Sequence, residues 1–227
     1  MELPCLHSWT LTGREAVALQ RELAEKVVVA DCLPRPVRSV AGVDVSYERG
    51  GDSFFAAVVV LELPDFKLIE EASATGRISF PYVPGLLSFR ELPVVLDAFS
   101  ALRTVPDAVL VDGQGIAHPR RFGLACHLGL WTGLPTVGCA KSRLCGSHLP
   151  PGRNKGDSVP LLLDGEEVGA VLTSRSGVRP LYISPGHRTD LASAVALVQS
   201  CLGAYRLPEP TRLAHLLSNR QRLRARG

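Results

Sequence analysis

Three carboxylates stand in contexts that ordinary folding does not favour, and together they have the chemistry of a hard-cation site. Asp44 lies inside Val40-Ala41-Gly42-Val43-Asp44-Val45-Ser46-Tyr47. Alternation puts Val43, Val45 and Tyr47 on one face of a strand and Gly42, Asp44 and Ser46 on the other. A carboxylate in mid-strand is disfavoured and must be solvated, paired or bound to a cation. The bland alternative is an edge strand with one wet face. Asp112 closes the apolar run Ala108–Val111 just before Gly113-Gln114-Gly115. Ligands in α/β sheets bind beyond the carboxyl ends of strands; the alternative is a strand-end Asp that caps the next turn. Glu91 follows Pro84-Gly85-Leu86-Leu87-Ser88-Phe89-Arg90. Ser88 and Glu91 have capping-box spacing. Pro93 argues against a cap there, because it would lack a donor where the helix ladder begins. Mg²⁺ prefers carboxylate oxygen and water, and such ions can activate water and stabilise the leaving oxygen of a phosphodiester.

Basic and aromatic residues point the same way. Ile116-Ala117-His118-Pro119-Arg120-Arg121, Ala140-Lys141-Ser142-Arg143 and Ser184-Pro185-Gly186-His187-Arg188 each fall where a strand is expected to hand over to a helix or loop. Backbone donors at helix starts favour phosphate, so the three together read as an anion-binding rim. Separately, each is an ordinary solvated helix start. Pro81-Tyr82-Val83-Pro84 is a stiff loop with a central aromatic. Tyr82 either packs on the core or projects as a wedge that fills the gap left by an unstacked base.

These residues need elements to carry them. Thr12 and Glu15 make a capping box ahead of Leu19, Leu23 and Val27, which predicts a helix over 12–29. Strands are expected at 38–47, 54–62 and 66–78, the first two joined as a hairpin at Gly50-Gly51-Asp52. A helix over 88–103, a buried strand at 108–111, a helix over 119–132 and a strand at 135–140 follow. Residues 141–160 read as a long loop, 168–174 and 179–184 as another hairpin, and 189–203 and 209–224 as two helices. The order implies an α/β fold with one mixed sheet covered by helices on both faces, and the length of 227 residues suits one compact domain or two small ones.

The chain has 227 residues, 46% hydrophobic and 21% charged, with a formal charge of +3. This composition excludes a disordered chain, a coiled coil and a collagen-like repeat. No apolar run reaches the ~18 residues of a membrane span, and the N-terminus does not read as a secretion signal. Of the basic residues, 21 are Arg and four are Lys, with Arg212, Arg220, Arg222, Arg224 and Arg226 near the C-terminus. Arg weighting permits phosphate contact and equally fits a solvated helix end. The six cysteines include no C-x-x-C pair and read as small buried hydrophobes in a reducing cytoplasm. Cys139, Cys145 and His148 lack standard zinc-ligand spacing.

The long motifs around Asp44, Tyr82 to Glu91, Asp112 to Gly123, Pro135 to Gly146, Pro180 to Arg188 and Tyr205 to His215 closely resemble endonuclease V, in order from about residue 14 to residue 219. The resemblance implies an RNase H-like fold. It implies Mg²⁺ dependence, with Mn²⁺ able to substitute, and hydrolysis of the second phosphodiester bond 3′ to a deaminated purine. It makes Asp44, Glu91 and Asp112 the metal-binding and catalytic acids, with His215 a further group near the metal. His118 and Lys141 would lie beside the scissile phosphate. Tyr82 would be the wedge, braced by Pro81, Val83 and Pro84, while Gly85, Gly113 and Gly138 would let backbone approach the flipped base. Arg90, Arg120, Arg143, His187 and Arg188 are the expected phosphate contacts. The implied partner is DNA containing deoxyinosine, with inosine-containing RNA as the second substrate reading and a non-catalytic binder as a third. A monomer in the cytoplasm, with no membrane contact, is expected. Many relatives carry His where this chain has Gln114, which can hydrogen-bond but cannot act as an imidazole acid or base.

Overall fold

The computed structural model describes residues 3–48 and 50–225. Thr12 caps the first helix as its sequence predicts, its hydroxyl accepting from Glu15 N while the Glu15 carboxylate accepts from Thr12 N. This helix, α1 (Gly13–Ala24), is followed by three strands, β1 (Ser39–Tyr47), β2 (Ser53–Glu62) and β3 (Lys67–Arg77). Next come α2 (Leu87–Ser100), β4 (Ala108–Val111), α3 (Leu124–Thr132) and β5 (Thr136–Ala140). The chain continues through β6 (Ser158–Leu163), β7 (Glu166–Leu172), β8 (Leu181–Pro185), α4 (Leu191–Ser200) and α5 (Glu209–Arg224).

All eight strands form one sheet in the order β3-β2-β1-β4-β5-β8-β7-β6. β1, β2 and β3 are antiparallel neighbours, β4 and β5 run parallel to β1, and β8 returns antiparallel to β5. This is the mixed, helix-flanked sheet of the RNase H-like expectation. Alternation along β1 sends Ala41 and Val43 into a core shared with α2 and α3, and Val40 into a second core under α4. α5 lies on the same face as α4, packing Ala214 and Leu217 on Ala57, Val59 and Leu61 of β2. Gly42 faces α5, and a Cβ there would meet the Pro210 carbonyl carbon at 2.0 Å. The bare backbone at Gly42 therefore lets the start of α5 descend onto the sheet beside Asp44.

Two local expectations are corrected, and Ser88 does not cap α2, as Pro93 implied. β1 lies between β2 and β4, so the edge-strand reading of Asp44 fails. The start of α2 is Leu87 with Leu86 as an uncapped N-cap, and Pro93 is accommodated within the helix. Ser88 is therefore no cap; its hydroxyl instead meets buried His127 Nδ1 at 3.0 Å. Finally, the stretch expected to be loop to residue 160 contains the first residues of β6. β6 is the outermost strand, where the missing donor of Pro160 breaks no interior ladder. The overlooked signal was Asp164-Gly165, which sits at φ +54° and +83° and makes the tight primed turn that pairs β6 with β7.

Candidate active site and lesion pocket

β1 and β4 run parallel and in register, Val43 opposite Val111, so the next residues on each strand, Asp44 and Asp112, emerge side by side. Glu91 reaches the same spot from the first turns of α2, Lys141 from just beyond β5, and His215 from α5. A cavity of about 190 Å³ is lined by Asp44, Glu91, Asp112, Lys141 and His215, together with Val43, Val45, Leu87 and Leu124. Asp44 is 6% exposed and Glu91 9%. Asp44 Oδ2 accepts from Ser218 Oγ at 2.6 Å and from His215 Nδ1 at 3.2 Å. Asn219 Nδ2 lies 3.1 Å from His215 Nε2, and the Lys141 ammonium pairs with Asp112.

The electrostatics show how strongly these carboxylates oppose one another. Burial pushes Asp44 upward, but hydrogen bonds from His215 and Ser218 and the charges of His215 and Lys141 bring it below its ordinary value. Asp112 is pushed up to about 6, first by burial and then by the Asp44 charge, against the pull of Lys141. Glu91 is pushed up to about 8 by burial and then by the charges of Asp44 and Asp112, with Arg90 opposing weakly. Carboxylates that repel one another in a closed site favour a cation, and this all-oxygen donor set suits Mg²⁺ or Mn²⁺ over a softer metal. Among the described residues no three His, Cys, Asp or Glu side chains form a ready-made metal shell. An ion here would complete its coordination with water, as Mg²⁺ commonly does.

A larger cavity of about 580 Å³ opens beside the acidic one, and Leu87, Asp112, Leu124 and Lys141 line both. Its other walls include Tyr82, Val83, Pro84, Gly85, Gly113, Gln114, His118, Phe122 and Arg143. Tyr82 stands at the rim, 70% exposed between its prolines. The structure thus places Tyr82 in solvent rather than on the core.

Several expected contacts fall elsewhere. Gly138 does not line the pocket. It lies beneath the Gly113–Gly115 loop, where a Cβ would meet Gly115 N at 2.4 Å, so its role is to let that loop settle on β5. His187 and Arg188 sit at the far end of the sheet. β8 runs opposite to β5, with Pro185 opposite Val137 and Tyr182 opposite Ala140. The residues after β8 therefore leave at the start of β5, while Lys141 follows its end. His187 Nδ1 there accepts from Val28 N at 3.2 Å, and Arg188 Nη1 donates to Gly133 O at 3.0 Å. The Ser184–Arg188 part of the rim read from the sequence therefore lies away from both cavities. Arg90 donates to Phe80 O at 2.9 Å and lies over the Phe54 ring, which commits it to packing beneath the wedge loop.

His118 is not a cationic phosphate partner. It is 3% exposed, and burial, then the Arg120 charge, lower its pKa to about 4. Its Nδ1 accepts from Arg120 N at 3.1 Å, so Nε2 carries the proton and donates to Gly85 O at 3.0 Å. Arg120 likewise turns to the Gly85 carbonyl, with Nη2 at 2.8 Å. Arg143 remains exposed at the pocket mouth. Arg226 lies outside the described residues. Cys126 and Cys139 are buried free thiols whose pKa burial raises, as inert packing groups should be.

Sequence reasoning missed Ser218 and Asn219, which fix His215 and Asp44, and Gln20, which lines the pocket from α1. Ser218 and Asn219 follow His215 by three and four residues in α5, a spacing that puts them on its face of the helix. No signal in the sequence marks Gln20.

The family model for endonuclease V matches residues 21–216. A curated endonuclease V from Azotobacter vinelandii is 53% identical over 213 residues, covering 94% of this chain and 96% of that protein. This chain belongs to the endonuclease V family. As an endonuclease V it is a nuclease. The crystal structure of endonuclease V from Streptomyces avermitilis superposes with a TM-score of 0.91 at 46% identity, over 97% of each chain. A Ciona intestinalis endonuclease V, solved with a 23mer DNA containing an inosine followed by a ribo-adenosine, superposes at 0.83 with 26% identity, over 95% of this chain and 100% of that one. Among the described residues no helix is long and apolar enough to cross a membrane.

Proposed function

We propose that this endonuclease V uses Mg²⁺, or Mn²⁺ in its place, to cut DNA containing deoxyinosine at the second phosphodiester bond 3′ to the lesion, leaving a 3′-hydroxyl and a 5′-phosphate. The observation that carries this is the shared wall: Asp112 and Lys141 border both the acidic cavity and the larger pocket. A base seated in the larger pocket thereby fixes which phosphate reaches the acids. Substrate identity is supported by the inosine-containing DNA bound by the Ciona relative.

The residues divide the work. Deamination weakens pairing, so the lesion base leaves the stack at lower cost than a normal one, and Tyr82 fills the gap. Gly85 and Gly113 admit the base to a pocket of about 580 Å³, within the range of small-ligand sites. Neutral His118 shapes the pocket wall through Gly85. Asp44, Glu91 and Asp112 would hold the cation, with His215 oriented by Asp44 and Asn219 beside it. The cation, when bound, supplies charge stabilisation for the phosphodiester and activation of the attacking water. Lys141, which pairs with Asp112 at the wall shared by the two cavities, would offer its ammonium to the negatively charged phosphate.

Nicking of a labelled duplex with one central deoxyinosine, in Mg²⁺ and in EDTA, tests this. The expected product is cut at the second bond 3′ to the lesion and only with Mg²⁺. Asp44→Ala and Asp112→Ala should nick at least ~100-fold more slowly yet still shift lesion DNA. Near wild-type nicking by either variant would refute the site. The Ciona complex carries a ribonucleotide after the inosine, so matched deoxyinosine and inosine strands should be compared; preference for the RNA strand would transfer the reading to an endoribonuclease. Lesion binding without nicking would leave a binder, a role that clustered carboxylates facing phosphate do not serve.

A further inference from the structure

We propose that Gln20 is a positioning residue for the lesion pocket: its side-chain amide ties together the pocket's two walls, the wedge loop at Gly85 and the turn at Phe122, and so sets the pocket's shape before a base enters. The inference rests on the pocket reading above and deepens it.

Gln20 belongs to α1, which contributes nothing to the acidic cavity. Its side chain is nevertheless 1% exposed. Nε2 donates to Gly85 O at 3.0 Å and to Phe122 O at 2.7 Å, and Oε1 accepts from Arg120 Nε. The amide nitrogen is thus used on backbone carbonyls of two pocket-lining residues, and the amide oxygen on the Arg120 guanidinium. The Gly85 carbonyl also receives Arg120 Nη2 at 2.8 Å and His118 Nε2 at 3.0 Å. Three donors therefore converge on one carbonyl of the wedge loop. Gly85 holds φ +79°, a backbone conformation that favours glycine.

His118 and Arg120 are members of the turn they tie to the loop. Gln20 comes from outside both and anchors the pair to α1. That helix does not need Gln20 to stay in place. Ala16 packs with Phe80, Leu86 and Phe89, and Leu23 packs with Phe122 and Cys126, while the capping box fixes its first turn. The amide's bonds are therefore spent on the pocket. Loss of a buried hydrogen-bond set loosens the walls without moving Asp44, Glu91 or Asp112. The cost falls on seating the base rather than on the chemical step.

The test uses the full chain as wild type, Gln20→Met, which keeps the length and removes every hydrogen bond, and Gln20→Glu, which keeps the acceptor for Arg120 but loses both donors. Binding to matched duplexes with one deoxyinosine or one adenine is measured in EDTA, nicking in Mg²⁺, and melting temperature for each protein. Both variants should lose about tenfold or more of the preference for deoxyinosine and show a matching rise in KM, with kcat within about threefold of wild type. A folded variant that keeps wild-type preference and KM overturns the inference, as does a fall confined to kcat. A wild type that does not distinguish the two duplexes overturns the pocket reading and this inference with it. A discriminating wild type beside an equally discriminating Gln20→Met overturns the inference alone.

Discussion

Replacing Glu91 by Gln should change how folding stability depends on pH, and the structure gives the size of the change. In the folded protein Glu91 holds its proton up to about 8, against 4.5 for the free side chain, because of burial and the nearby charges of Asp44 and Asp112. A raised folded pKa means a stabilising contribution that is fully present below 4.5 and lost as pH rises through about 8. Each pH unit inside that window is worth about 1.36 kcal/mol. Asp112 acts in the same direction only up to about 6, and His118 in the opposite one from about 4 to 6.5. Both are present in wild type and variant and cancel in the difference. Between pH 6 and 8 the substituted glutamine is neutral in both states, whereas the wild-type carboxyl stays protonated when folded and ionises when unfolded, which favours the unfolded chain increasingly as pH rises. The variant should therefore gain about 2–3 kcal/mol on wild type across those two units, or about 5–10 °C in melting temperature for a chain of this length. Urea unfolding in EDTA at several pH values measures it. A stability difference that stays constant from pH 6 to 8 would refute the claim that Glu91 is the proton holder of an overcrowded acidic site. Adding Mg²⁺ at pH 8 should restore wild type by binding the folded state and help Glu91→Gln less.

Other outcomes follow from the same geometry. Tyr82→Ala should lower lesion preference by about tenfold while changing stability by less than about 0.5 kcal/mol, since the ring is exposed; a band shift and a melt check both. Gly42→Ala sets a methyl against the Pro210 carbonyl carbon at 2.0 Å, and should cost about 3 kcal/mol or more and displace His215, visible as lost melting temperature and lost nicking together. Arg188→Ala should leave nicking and its salt dependence unaltered, because that side chain faces Gly133 at the far end of the sheet; a salt slope reduced by about one would show that it does neutralise a phosphate.

The elements that read most clearly were those with strong local chemistry. The Thr12–Glu15 box begins α1 as expected, and the expected 209–224 helix matches α5 in full. The alternation of β1 correctly separated Val43 from Asp44. The helix expected over 119–132 starts only at Leu124, because the chain first makes a turn in which Arg121 takes φ +55°, a conformation no local pattern announced. The loss of β6 had the opposite cause: a Pro that normally argues against a strand is harmless on an outer one.

Motif order, through the family resemblance it carries, determined the fold class and the family and singled out Asp44, Glu91 and Asp112 as candidate acids, since each of these rests on residue types in long contiguous runs. Which residues meet was decided by the fold. Parallel pairing of β1 with β4 brings Asp44 beside Asp112, and the bare backbone of Gly42 lets α5 add His215 and Ser218. The same sheet removes His187 and Arg188 from the site, because β8 runs against β5 and its C-terminal end lies at the opposite pole from Lys141. Strand direction and burial are properties of the whole sheet. For that reason His118 looks like a basic residue in the sequence but is a neutral, buried wall in the structure, and Gln20, which no motif marks, lies at the centre of the pocket's hydrogen bonds.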